Sequence, residues 1–164
     1  MNLDDLRKLY VHELKDLYSA EKQLLEALPR MEKAASDPGL KKAFAAHLKE
    51  TRRHVKRLED IFSDLDFKPR GQKCAGMEGL LEEGSDMMKE DAPADVKDPA
   101  LIASAQRVEH YEIAGYGTAR TYAEKLGDYR AADILQETLN EEALADQKLT
   151  RLAVRRINFE AMTG

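Results

Sequence analysis

Three observations predict an all-α fold, an antiparallel four-helix bundle of two helical hairpins joined by one long crossover. Apolar residues recur at helical spacing through four long segments. Composition agrees: 35% of the residues are charged and only 6% aromatic, with no Trp and just 9 Gly and 5 Pro in 164 residues. Such a mix favours long amphipathic helices over strands. Helix-breaking residues also gather in one stretch, about 66–98, instead of recurring at short intervals. The length suits a single domain, 1–164.

The first helix is predicted to start at Asn2 as cap, with Asp4 and Asp5 in its first turn. Its stripe is Leu3, Leu6, Tyr10, Leu14, Leu17, Leu24, Leu25 and Leu28, and Met31 and Ala34 extend the pattern past Pro29, a candidate kink. Ser36-Asp37-Pro38 reads as a turn, Asp37 capping a second helix and Pro38 taking its first position. Phe44, Leu48, Thr51, Val55, Leu58 and Phe62 share one face of that helix. The crossover, about 66–98, has room for one short helix, Met77 to Lys89, and is long enough to run back along a bundle. Asp98-Pro99 repeats the cap-plus-proline signal and opens a third helix that ends near Leu126. Gly127-Asp128 turns the chain into a fourth helix, with Leu135, Leu139, Leu149, Ala153 and Ile157 on its face, running to about Phe159.

A net charge of −5 with both signs interspersed disfavours nucleic acid as a partner. Apolar runs are only a few residues long, so no membrane span is expected. The acidic start, Met1-Asn2-Leu3-Asp4-Asp5, lacks a signal-peptide core, and a lone cysteine, Cys74, fits a reducing compartment. The expected location is the cytoplasm.

The two hairpins resemble one another. A shift of 91 residues places Phe44 on Leu135, Leu48 on Leu139, Leu58 on Leu149, Glu21 on Glu112 and Glu50 on Glu141. Acidic residues therefore recur in register with apolar ones, as expected of a duplicated helix pair whose carboxylates face a shared interior. Glu21 falls within the first stripe, and Glu112 lies among Val108, Tyr116 and Ala119, with Glu109 one turn before it. On the second helix His47, Glu50 and His54 share one edge of the buried face. On the fourth, Glu142 and Asp146 occupy positions where a binary pattern asks for apolar residues, and Glu141 lies to one side.

Several carboxylates in a dry core are driven neutral by desolvation and mutual repulsion unless cations accompany them. Carboxylate and imidazole donors suit iron or manganese, and zinc less specifically. The candidate metal ligands are Glu21, Glu50, His54, Glu109, Glu112, Glu142 and Asp146, with His47 an alternative on the second helix. Each also has an ordinary reading as a salt-bridged or hydrogen-bonded side chain. Tyr18, Tyr111, Tyr116 and Tyr122 read as packing residues that could also donate to a ligand carboxylate. Gly115 and Gly117 read as points of close helix approach. His110 is read as structural or as a dimer contact, and His12 as outward-facing.

Leu17-Tyr18-Ser19-Ala20-Glu21-Lys22-Gln23-Leu24, Ala75-Gly76-Met77-Glu78-Gly79-Leu80, Val108-Glu109-His110-Tyr111-Glu112-Ile113 and Gln136-Glu137-Thr138-Leu139 resemble the YciF/YciE-type ferritin-like proteins. The resemblance covers nearly the whole chain. It implies a bacterial stress-associated protein with a ferritin-like bundle, usually paired as a homodimer, and two iron or manganese ions serving iron oxidation or peroxide removal. The pattern departs from the rubrerythrin-like Glu-x-x-His: Arg53 stands three residues after Glu50, and Leu144 or Ala145 three after Glu141 or Glu142. The departures leave a second expectation open, a non-catalytic dimeric stress-related scaffold or binding protein with a degenerate site.

Overall fold

A computed structural model describes residues 4–163. Among these the secondary structure is helical throughout: α1 Leu6–Ala34, α2 Pro38–Asp64, α3 Ala75–Lys89, α4 Ala94–Lys125, α5 Tyr129–Leu152, a π-helical turn Ala153–Ile157 and a short α6 Asn158–Thr163. Helix α1 packs on α2 and α4, α2 on α5, and α4 on α5, so the four long helices enclose a common interior. The crossover helix α3 lies against α1 and α4.

The helix starts follow local chemistry. Asp5, not Asn2, caps α1: its Oδ1 accepts from the Lys8 N–H at 2.7 Å, and the expected cap Asn2 lies outside the described residues, as does Leu3. Leu6 of the expected stripe is 37% exposed. Pro29 sits inside α1 without ending it. Asp37 caps α2 as expected, accepting from the Leu40 N–H at 2.8 Å with Pro38 behind it. Gly127 takes φ +79°, a left-handed value that suits glycine, and Asp128 caps α5 through the Ala131 N–H.

Asp98 differs from expectation. Helix α4 starts at Ala94, and Asp98 is buried within its first turns. Its two carboxylate oxygens accept from the backbone N–H groups of Ser36 and Asp37, at 2.8 and 2.6 Å. The Asp-Pro signal thus serves the head of another helix, where orphan N–H groups need acceptors. The last helix also differs, since a π-helical turn interrupts it after Leu152.

The apolar core is divided. One cluster holds Leu24, Leu28, Phe44, Leu101, Val108 and Leu149; the other holds Leu14, Leu17, Leu58, Phe62, Tyr116 and Leu135. On all four long helices the residues between the two clusters include buried polar ones: Glu21, then His47, Thr51 and His54, then Glu109 and Glu112, then Glu142. At this level α1 and α4 approach closely. A Cβ added at Gly115 would lie 2.8 Å from Leu17 Cδ2, whereas one at Gly117 would meet only Leu139 at 4.0 Å.

Candidate metal centre

The buried polar layer resolves into two groups of converging donors. Glu21, His54 and Glu142 form one; His47, Glu109, Glu112 and Glu142 form the other, and within each group one donor atom per residue lies within 4.8 Å of the rest. Bonds of about 2.1 Å place donors on opposite sides of one ion about 4.2 Å apart, so this spacing is close to that of ligands around a cation. Glu142 belongs to both groups, which makes it the bridging candidate.

Both imidazoles are held from outside and aimed inward. His54 Nε2 meets Glu141 Oε2 at 2.6 Å, and His47 Nδ1 meets Glu50 Oε2 at 3.3 Å. The inner nitrogens, His54 Nδ1 and His47 Nε2, have no hydrogen-bond partner. His54 Nδ1 lies 2.9 Å from Glu142 Oε1 and 3.2 Å from Glu21 Oε1; His47 Nε2 lies 3.4 Å from Glu109 Oε1 and 3.6 Å from Glu142 Oε2. Each imidazole thus brings one ring nitrogen into the group of buried carboxylates. The inner carboxylates are equally unsatisfied: both oxygens of Glu112, both of Glu142, and one each of Glu21 and Glu109. Tyr116 donates to Glu21 Oε1 at 2.5 Å.

Burial and like charge set the inner carboxylates against one another. Burial, then the charges of Glu21, Glu142 and Glu109, push the Glu112 carboxyl well above the usual range. Burial also raises Glu109 and Glu21, opposed by His47 and His54 respectively. Burial alone would lower the imidazoles, but the surrounding carboxylates push His54 up to about 11 and His47 up to about 9. Burial works against Glu142 ionising as well, yet His54 and His47 hold it below the ordinary carboxylate value. Two divalent ions would balance the four carboxylates Glu21, Glu109, Glu112 and Glu142. The donor chemistry therefore fits a metal ion.

Five of the expected donors are brought together: Glu21, His54, Glu109, Glu112 and Glu142. Two stand outside both groups. Glu50 is rotated toward the rim, where it holds His47 and lies 3.7 Å from Lys148 Nζ; the bond from His47 lowers its pKa. Asp146 turns to the flank of α4, accepting from Gln106 Nε2 at 2.9 Å with His110 Nε2 at 3.4 Å. Their place on the helix wheel, off the inward face, is the physical reason. His47 enters instead, and its spacing of four and three residues to Thr51 and His54, on the face with Phe44 and Leu58, was the available signal. Glu141 is a support too. Burial opposes its charge, but bonds from Arg57 and His54 bring it down to about 2. The remaining tyrosines serve elsewhere: Tyr18 donates to Glu59, and Tyr111 to Asp16. His110 is 69% exposed in its side chain.

Proteins similar to this chain are known. Residues 5–162 match the family described as a domain of unknown function, DUF892. Protein YciF of Escherichia coli (strain K12) is 46% identical over 162 residues, 98% of each chain. The crystal structure of the E. coli stress protein YciF superposes with a TM-score of 0.91 at 45% identity, covering 94% of this chain and 98% of that one. YcfI from Rhodopseudomonas palustris gives 0.88 at 40% identity, covering 91% and 95%. A protein from Xanthomonas campestris, only 19% identical, shares the fold with a TM-score of 0.76 over 98% of this chain and 100% of that one. The chain belongs to the DUF892 family and is a homologue of the stress protein YciF.

Proposed function

We propose that the protein is a ferritin-like dinuclear metal protein of the stress response, its long helices forming an antiparallel four-helix bundle with α3 in the crossover. The observation that carries this reading is the orientation of the two histidines. Each has its outer nitrogen on a carboxylate and its inner nitrogen turned in among buried carboxylates. Carboxylate-supported imidazoles are the usual arrangement of metal-ligating histidine. Leaving Glu112 charged and unaccompanied would cost several kcal/mol, about the penalty of any unpaired buried ion.

Glu21, His54 and Glu142 would hold one ion, and His47, Glu109, Glu112 and Glu142 the other. A pair of iron or manganese ions bound there would supply the electron exchange for iron oxidation or peroxide removal. The chain's own part is to position and to shield. Tyr116 fixes Glu21 in one rotamer, Glu50 and Glu141 fix the imidazole planes, and the two apolar clusters exclude water above and below. Arg57 braces Glu141 from outside through Oε2 at 2.7 Å.

A second reading, a dimeric binding protein with a degenerate site, is favoured by one observation. Thr51 is fully buried with no partner for its hydroxyl, and the 91-residue shift pairs it with Glu142. The same shift pairs His54 with Ala145, so each hairpin lacks part of a Glu-x-x-His.

Elemental analysis after anaerobic iron or manganese loading separates the two. The dinuclear reading expects about two ions per chain and, in Glu112→Ala, loss of the ion assigned to the group of His47, Glu109, Glu112 and Glu142; an empty protein under those conditions leaves the scaffold. A homodimer and a cytoplasmic setting belong to the same proposal, and light scattering on the purified protein tests the first. No helix among the described residues is long and apolar enough to cross a membrane.

A further inference from the structure

A second site lies outside the metal layer. Where α2 passes the end of α5 and the π-helical turn, a groove of about 530 Å³ opens to solvent. Small-molecule pockets span roughly 300–1,000 Å³, so it has the size of a ligand site. Its floor is apolar, made by Ala43, Ala46 and Leu152, and its walls carry Lys42, Lys148, Arg151, Arg155 and Arg156. Five cations converge here in a protein whose net charge is −5.

The acids nearby account for only two of them. Arg156 pairs with Asp37 and reaches Glu160 at 3.9 Å; Lys148 pairs with Glu50 at 3.7 Å. Among the described residues, Lys42, Arg151 and Arg155 form no ion pair, and Arg151 only donates to Gln147 at 3.3 Å. Lys42 comes from α2, Arg151 from α5 and Arg155 from the π-helical turn, so three elements bring unpaired cations to one groove. A π-helical turn supplies Arg155 and Arg156, and such turns recur at functional sites.

We infer that this groove binds a small organic phosphate. Three unpaired cations match a phosphate monoester, of about −1.5 to −2 at neutral pH, better than a carboxylate of −1. Guanidinium forks pair with phosphate oxygens in parallel. The apolar floor gives the organic body a surface that free phosphate could not use.

Calorimetric titration and thermal shift of the full chain with adenosine 5′-monophosphate and with glucose 6-phosphate test this, against adenosine, inorganic phosphate and a short DNA duplex. The expected result is 1:1 binding of at least one of the two esters, weakened at least tenfold in Arg151→Glu/Arg155→Glu and weakened by added salt. Lys42→Glu, on the other wall, is expected to act in the same direction and serves if the double variant misfolds. Equal binding of adenosine would overturn the phosphate, and equal binding of inorganic phosphate would overturn the organic body. Preferential binding of the duplex, or no response to any ester, would overturn the site itself. Metal content plays no part in the readout, so the result stands apart from the dinuclear proposal.

Discussion

The first hairpin, α1 with α2, and the second, α4 with α5, share a register yet divide the labour of the interior unequally. Glu21 and Glu112 correspond and both face inward. Glu50 and Glu141 correspond as well, and both have moved to the rim, where each steadies a histidine of the same helix, α2. The inward positions of α2 and α5 then diverge: His47, Thr51 and His54 on one, Thr138, Glu142 and Ala145 on the other. One hairpin has kept the imidazoles and the other the extra carboxylates. The framework tolerates such differences because apolar residues above and below fix the helices, leaving each polar position to differ separately.

The largest effect should come from the residue both groups share. Glu142→Ala is expected to weaken the binding of both ions, whereas Glu21→Ala should leave the ion held by His47, Glu109, Glu112 and Glu142; elemental analysis of the pair reads the difference. Equal loss in both would break the asymmetry. Thr51→Glu makes the first hairpin match the second at one of these three positions. Without metal it should destabilise the fold by about 3 kcal/mol or more, the cost of an unpaired buried charge. With metal it should bind more tightly than the parent, as calorimetry and denaturant titration can show.

Protons report the same balance. With His54 at about 11 and His47 at about 9, both imidazoles are charged at neutral pH when no metal is bound. Metal needs them neutral and the buried carboxyls ionised, so loading should release at least two protons and tighten as pH rises. Titrations in buffers of different ionisation enthalpy count the protons; uptake instead of release would reverse the assignment. A smaller effect is expected of Gly115→Ala. The added methyl meets Leu17 at 2.8 Å, and overpacking of this kind costs about 1–3 kcal/mol. Thermal melting should fall about 2–4 °C per kcal/mol. Gly117→Ala, with only Leu139 at 4.0 Å, should be milder.

Much of this arrangement was legible beforehand, for physical reasons. Helical periodicity marked the four long helices, and Asp37-Pro38 and Gly127-Asp128 marked their junctions, because caps are local chemistry. Glutamates within apolar stripes marked the interior layer. Asp98-Pro99 misled because a carboxylate followed by proline has the same local signature whether it caps its own helix or another's; only packing brought it to Ser36 and Asp37. Glu50 and Asp146 misled because one residue turns a side chain by about 100°, enough to move it from the interior to the rim. Supports such as Glu141 need the partner helix before their role can be read.

The crossover contains its own reporter. Cys74 caps α3 by accepting from the Met77 N–H at 3.3 Å, is fully buried, and lies 3.0 Å from Tyr111 Oη and 3.1 Å from Asp16 Oδ2. Burial pushes its thiol pKa up. An alkylating reagent can reach that sulfur only after α3 has lifted from α1 and α4, so the labelling rate becomes a clock for how often this face of the protein breathes.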